Sequence, residues 1–250
     1  LSQNYLKFRN TARYCLGNLD GFDPNNLVAP ADMLELDRWA VTRLNSLIEK
    51  VFAAYDNYEF HVVSHMINDF CVVDLSSFYF DIIKDRLYCG EENGLERRSA
   101  QTAVWMILDA MTRMFAPILA FTCDEVWLAM PHRAADDARN VLFNEMVQPY
   151  AAYALSQEEM GRWARIAALR TAVNGALEQA RADKTIGKSL EAEVDLTVTA
   201  EDAFLTEMDA DALADTLIVS QVRVDVGAEQ AVAVRPASGA KCLRCWKFDT

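Results

Sequence analysis

Cys242 and Cys245 stand as a Cys-x-x-Cys pair in the closing stretch KCLRCWKFDT. Two thiolates at that spacing on a tight turn can grip one Zn²⁺, whereas a closed tetrahedral site takes four ligands. The sequence therefore holds half of a metal site. A redox disulfide is the rival use of the motif, but thioredoxin-type pairs open a helix within a βαβ setting. This pair follows Pro236-Ala-Ser-Gly239, after all the regular elements, which fits a zinc knuckle better. Trp246, next to the second thiol, can stack on an RNA base or pack over the metal turn. The other four cysteines, Cys15, Cys71, Cys89 and Cys123, fall in apolar helical stretches, where a thiol packs as a small hydrophobe.

Charge offers a second kind of chemistry. The formal net charge of -13 argues against a nucleic-acid partner, since phosphate contacts need Lys and Arg. Its distribution reopens the question. Residues 190–230 hold eleven acids and one base, whereas residues 162–188 hold six bases and two acids. The first fourteen residues carry Lys7, Arg9 and Arg13 and no acid. Such asymmetry fits either a phosphate-binding surface or a solvated helix face.

Two further motifs fail on inspection. Gly187-Lys-Ser189 resembles the end of a phosphate-binding loop, but Ala182 stands where that loop needs glycine. His61 and His65 have metalloprotease spacing, but Val62 occupies the place of the general-base glutamate. No catalytic constellation emerges.

The elements that must carry these residues are mostly helical. In residues 34–55, Leu44, Leu47, Ile48, Val51 and Tyr55 form one helical stripe. Residues 61–88 run without Gly or Pro and are apolar on more than one side, as at a bundle centre. Val104, Ile107, Leu108, Met111, Phe115 and Ile118 mark a third helix that bends or stops at Pro117. Thr122 with Glu125, and Ser156 with Glu159, fit capping boxes at two helix starts. The second of these opens a long helix with Ile166, Leu169, Val173, Leu177 and Ala180 on one face. The period then changes to two in EAEVDLTVT, LIVSQVRVDV and AVAVR, the mark of half-buried strands, with a helix expected between the first and second. The fold class expected is mainly α: an antiparallel helical bundle over 1–150, a long helix and small α+β subdomain over 151–236, and a truncated ribbon over 237–250. No Met opens the chain, which is expected to be a piece of a longer protein. No run of about 18 apolar residues and no export signal are present, so neither a membrane partner nor secretion is expected.

Several strings together resemble the bacterial-type isoleucyl-tRNA synthetases, in the region after their catalytic core. They are KFRNTARYCLGNLDGFDP (7–24), LDRWAV (36–41), SSFYFDIIKDRLY (76–88), RRSAQTA (97–103), APILAFTCDEVW (116–127), EQARADKTIGKSLEA (178–192) and KCLRCW (241–246). They stand in family order from one end of the chain to the other. The resemblance implies a class I anticodon-binding bundle, a small α+β junction and the start of a zinc ribbon whose second Cys-x-x-Cys lies beyond Thr250. With half of its ligands, the Cys242–Cys245 pair is expected to bind zinc weakly or not at all. The resemblance further implies a cytoplasmic, monomeric ATP-dependent ligase for isoleucine and its tRNA. ATP and Mg²⁺ would be used in a missing N-terminal catalytic domain, since the HIGH and KMSKS signatures are absent here. Candidate RNA contacts are Arg9, Asn10 and Arg13 first, for their helical spacing and the bidentate reach of Arg. Lys84, Arg86, Arg97 and Arg98 flank the turn CGEENGLE, where Asp85, Glu91, Glu92 and Glu96 are rival partners for them. Arg181, Lys184, Lys188 and Trp246 complete the set. The valyl, leucyl and methionyl synthetases share such a bundle and are the nearest alternatives; a helical scaffold for protein partners is the alternative of a different class.

Overall fold

The structure is a computed structural model that describes residues 2–249, with side chains described from Asn4 to Phe248. By contacts, the chain divides into two units, Leu1–Ser156 and Gln157–Thr250.

The first unit is built around α5 (Leu95–Phe115), which is buried on every side from Ser99 to Phe115. Around it stand α1 (Ser2–Gly17), α2 (Glu35–Asp56), α3 (Phe60–Asp69), α4 (Phe80–Cys89) and α6 (Ala120–Ala129). Trp105, Met106, Ile107 and Leu108 are wholly buried in four consecutive positions, and each contributes on the order of 1.5–3 kcal/mol by leaving water. The bundle centre is therefore α5, not the 61–88 segment as expected from composition. The reason is that most of the buried polar residues of α5 find partners inside, the Thr112 hydroxyl being an exception. Trp105 Nε1 donates to the Pro131 carbonyl at 2.9 Å, and Gln101 Nε2 donates to the Asn18 carbonyl at 3.0 Å. Arg113 donates to Asp109 at 2.7 Å and to Asp136 at 2.8 Å, which ties the 131–150 connection to the helix.

The 60–89 segment is continuous but not uniformly α. Between α3 and α4, Phe70–Tyr79 is a π-helical stretch, with the Ser77 hydroxyl donating to the Val72 carbonyl five residues back at 2.8 Å. The wider turn changes the phase of the side chains and brings Phe70, Cys71, Leu75, Phe78 and Tyr79 to the core side. Helix α4 stops at Gly90, where a Cβ would lie 2.3 Å from the Arg86 carbonyl oxygen. Gly90→Ala is accordingly expected to lower stability by about 1–3 kcal/mol, read as a shift of the denaturant midpoint at unchanged slope.

Helix α5 ends at Phe115, two residues before the proline that was expected to stop it. The Leu119 N–H then bonds the Phe115 carbonyl at 2.8 Å, and this tight turn starts α6 at Ala120. The first expected capping box is therefore not one. Leu119 is the N-cap, with no side-chain cap, and Thr122 and Glu125 lie inside the helix. Ser156 does directly precede α7 (Gln157–Ala182), with Glu159 in its first turn.

In the second unit, α7 buries Trp163, Ile166, Leu169, Val173, Leu177 and Ala180, the stripe read from its spacing plus Trp163. The strands β1 (Ala192–Val198), β2 (Gln221–Val226) and β3 (Ala231–Pro236) form one sheet in the order β2-β1-β3. β1 pairs parallel with β2 and antiparallel with β3. A parallel pair needs a crossover, supplied by the 3₁₀ segment Ala200–Thr206 and α8 (Ala210–Leu217). The central strand buries Val194, Leu196 and Val198, and its buried Glu193 is held by Arg235 at 2.9 Å and Arg223 at 3.1 Å. Residues 240–249 form a small hairpin of β4 (Ala240–Lys241) and β5 (Phe248–Asp249). Among the described residues no helix is long and apolar enough to cross a membrane.

Candidate nucleic-acid interface

Helix α1 sinks Phe8, Ala12 and Cys15 into the bundle, with Leu19 buried just past its end and Phe8 edge-on to Phe115 at 5.0 Å between ring centroids. That anchoring leaves Arg9, Asn10 and Arg13 exposed. They line a cleft of about 280 Å³ together with Ala12, Leu16 and, from α6, Thr122, Glu125, Val126 and Ala129. Neither guanidinium has a carboxylate partner among the described residues. Unpaired, exposed and a helical turn apart, the two arginines can each offer a bidentate fork to a phosphate without first breaking an ion pair. Besides the two arginines, the lining is four apolar side chains, an amide, a hydroxyl and one carboxylate.

The second group of cations does not form a surface. Arg86 points inward to Asp37, which is fully buried, at 3.1 and 3.3 Å. Asp37 also accepts from the Tyr79 hydroxyl at 2.6 Å and the Ser99 hydroxyl at 2.5 Å. Burial alone would pull the Arg86 guanidinium down, but the Asp37 charge and hydrogen bonds, with smaller help from Tyr79 and Glu96, together hold it above its ordinary value. Burial, then the Asp37 charge, pushes the Tyr79 phenol well up. Arg86 is thus a core ion and not a phosphate contact, because the bundle supplies it with a buried counter-charge 49 positions away that local spacing could not reveal. Lys84 pairs with Asp81 at 2.8 Å on the surface, a contact of small net worth. Arg98 lies over the Phe22 ring at 4.9 Å and donates to the Asn26 carbonyl at 3.2 Å, so it tethers the α1–α2 connection. Arg97 is half-buried, with its Nε lacking a hydrogen-bond partner. Among the described residues the acids expected to compete, Asp85, Glu91, Glu92 and Glu96, form no salt bridge with these cations; Asp37, Asp81 and the ring of Phe22 take their place.

In the second unit, Arg181 is paired with Glu178 and donates to the Ser189 hydroxyl at 2.5 Å. Lys184 is exposed just past the end of α7 in the left-handed region, at φ 60°. The Gly187-Lys188 loop is folded about a carboxylate, with both backbone N–H groups donating to Glu191 Oε2 at 2.8 and 3.2 Å. Those two bonds hold the Glu191 carboxyl below its ordinary value. Lys188 Nζ sits over the Trp246 ring at 4.9 Å, and Lys241 Nζ at 5.8 Å. Trp246 itself is half-exposed, with its backbone held at φ 67° by the hairpin.

Cys242 and Cys245 sit at the tip of that hairpin, where the Cys242 N–H donates to the Lys247 carbonyl at 2.8 Å and the Trp246 N–H to the Cys242 carbonyl at 3.0 Å. The backbone N–H groups of Cys245 and Arg244 turn toward the Cys242 sulfur and hold its thiol below the ordinary range. Partial burial, and then the neighbouring Cys242, pushes the Cys245 thiol up. A turn whose amides point at a sulfur and favour its ionised form fits a soft divalent cation. The described residues still supply only this pair, since no group of three or more His, Cys, Asp or Glu that could hold a metal occurs among them. His61 and His65 lie exposed on α3 and join no such group.

The model of the family described as the anticodon-binding domain of tRNA ligase matches residues 37–196. The chain belongs to that family. The match opens on Asp37, the buried centre of the Arg86 network, and includes α6. This anticodon-binding chain is also similar to the isoleucine–tRNA ligases of Syntrophotalea carbinolica and Geobacter sulfurreducens, each 44% identical over 100% of the chain. That of Desulforamulus reducens is 43% identical over 99% of it. In every case the chain spans about 28% of the relative's length, and the alignments extend over α1 as well.

Glu125 and Thr122 were not expected as part of the interface. Their spacing from Asn10 in the chain carries no signal, because only the docking of α6 beside α1 brings them to the same cleft.

Proposed function

We propose that this chain is the part of an isoleucine–tRNA ligase that holds the anticodon stem-loop of the tRNA for isoleucine, while ATP-dependent attachment of the amino acid takes place in a catalytic domain elsewhere in the same polypeptide. The observation that carries this reading is the α1–α6 cleft, where Arg9 and Arg13 stand exposed and unpaired on a family member of the anticodon-binding type. Binding remote from the chemistry orients the acceptor end, so weakening it lowers turnover as well as affinity. Arg181, Lys184, Lys188 and Trp246 belong to the same reading as a second place for RNA, with Trp246 supplying a ring face on which a base can stack. The reading also takes the protein to work in the cytoplasm as a monomer, with ATP and Mg²⁺ bound by the catalytic domain.

Cys242 and Cys245 would hold Zn²⁺ together with two ligands from beyond this chain, and the ion would brace the hairpin that carries Trp246. Replacing both by serine in the full-length protein is expected to remove about one zinc per chain by atomic absorption. Retention of that zinc would refute the assignment.

The function itself is tested by titrating tRNA into the protein at several salt concentrations. The expected result is binding that weakens steeply with salt, as counterions released from phosphates demand. A helical scaffold for protein partners would bind no tRNA at any salt, and a valyl, leucyl or methionyl enzyme would prefer another tRNA.

A further inference from the structure

A second cleft, of about 160 Å³, runs between α2 and the 60–89 segment. Helix α2 gives it Arg43, Ser46, Leu47 and Lys50, which share one helical stripe, and the facing wall gives Met66, Asp69, Phe70 and Asp74. In a regular α-helix the stripe of Met66, Asp69 and Phe70 would continue through Val73. The wider π turn that starts at Phe70 puts Asp74 on the cleft instead and leaves Val73 exposed to solvent.

The lining holds two cations and two anions, and one of each satisfies the other. Arg43 donates to Asp74 from two nitrogens, at 2.7 and 3.4 Å. Lys50 makes no hydrogen bond or ion pair with a described residue, and Asp69 accepts only from the side-chain amide of Asn68 beside it, at 3.5 Å. Lys50 and Asp69 thus line one cleft from opposite walls without pairing. The rest of the lining is Leu47 and Phe70, both buried, the half-buried Met66 and the Ser46 hydroxyl. A ligand of one sign answers only half of this arrangement: an anion at Lys50 is opposed by Asp69, and a cation at Asp69 by Lys50. A zwitterion answers both, with a charge-assisted bond at each end. Its body has to be apolar, since a polar chain would give up water against Leu47, Met66 and Phe70 without new partners. Volume sets its size, because an apolar protein cavity of about 150 Å³ takes a ring of six carbons.

We infer that the cleft between α2 and the 60–89 segment binds a small zwitterion, an ammonium and a carboxylate on an apolar chain of about six carbons, with Lys50 on its carboxylate and Asp69 on its ammonium. The assignment goes beyond the RNA-binding reading and does not rest on it. Free α-amino acids and ω-amino acids share this chemistry and differ in the distance between their charges.

The test follows the Met66 methyl resonance by NMR in the full-length protein labelled at methionine methyls, with the signal assigned through Met66→Leu. That methyl lies in the cleft, so it reports this site whatever binds elsewhere in the polypeptide. The probes are norleucine and ε-aminocaproate, isomers that differ only in where the ammonium sits, with caproate and hexylamine as single-charge controls. At least one isomer is expected to shift the resonance saturably, with a Kd of about 1 mM or tighter. Caproate and hexylamine should each bind about 10-fold more weakly or worse, and Lys50→Gln and Asp69→Asn should each weaken the zwitterion about 10-fold, the loss of one charge-assisted contact. Both residues are exposed, so the variants should melt as the wild type does. Tighter binding of norleucine supports an α-amino acid as the occupant, and tighter binding of ε-aminocaproate an ω-amino acid. No saturable shift with either isomer, a single-charge control that binds as tightly, or affinity that survives in both variants overturns the proposal, and each of these leaves the RNA-binding reading standing.

Discussion

The double substitution Arg9→Ala and Arg13→Ala lowers the affinity of the full-length protein for its tRNA by about 10²-fold or more at moderate salt. The magnitude follows from two charge-assisted contacts, each worth about 1.5 kcal/mol or more once made. Both guanidinium groups are exposed on α1 and line the same cleft, so they can act on adjacent phosphates. If they do, the slope of log affinity against log salt also falls, by about one for each arginine removed. That second readout separates lost phosphate contacts from a general loss of structure. Stability should change by no more than about 0.5 kcal/mol, because neither side chain is buried and neither has an ionic partner among the described residues to lose. Unchanged affinity with unchanged slope would refute the assignment of this cleft to RNA. Under the proposed function, charging of tRNA by the full-length protein is expected to fall with affinity, in turnover as well as in KM.

The largest expected effect on the fold itself is at Asp37. Its carboxylate is fully buried and accepts from Tyr79, Ser99 and both terminal nitrogens of Arg86. The Ser99 hydroxyl in turn accepts from the Leu34 N–H at 2.9 Å, so the same cluster joins α2, α4, α5 and the π-helical stretch. Asp37→Ala leaves the Arg86 guanidinium in the core without a counter-charge and strands two hydroxyls beside it. Removal of one partner of a buried ion pair costs about 3–5 kcal/mol, a large share of the roughly 5–15 kcal/mol that holds a domain folded. Urea unfolding followed by circular dichroism measures it. The double substitution Asp37→Leu with Arg86→Met is expected to recover most of that loss, since a buried pair can be replaced by apolar groups of similar volume at little net cost. If Asp37→Ala alone left the midpoint unmoved, the cluster would not be the structural centre described above. Neither variant alters the α1–α6 cleft directly, so the RNA affinity of the folded fraction should survive in the double variant.

The correction at Arg86 shows where local reading runs out. In DIIKDRLY the residue has the look of a surface cation at the end of an amphipathic helix, and nothing within a few positions contradicts that. Its partner lies on α2, and only the packing of α2 against α4 and α5 reveals a buried carboxylate. Arg98 is similar, being tied to Phe22 and Asn26 more than seventy positions earlier. The reverse holds for Arg9, Asn10 and Arg13. One helical stripe on α1 must face the core, because Phe8, Ala12 and Cys15 have nowhere else to go. The other face is then solvent-facing before any tertiary contact is known.

The amino-acid sequence by itself determined the helical class, the switch to a small sheet after residue 190, the exposure of the α1 arginines and the membership in the anticodon-binding family. Each of these rests on short-range periodicity or on strings of neighbouring residues, and both are properties of chain order. Tertiary structure alone decided that α5 is the axis of the bundle, that residues 70–79 turn as a π-helix, that Arg86 is a core ion and that Glu125 faces the arginines across a cleft. These are outcomes of which helix faces touch. Many pairings of apolar faces satisfy the same pattern, and the choice among them is made by side-chain volume and by the need of each buried polar group for a partner.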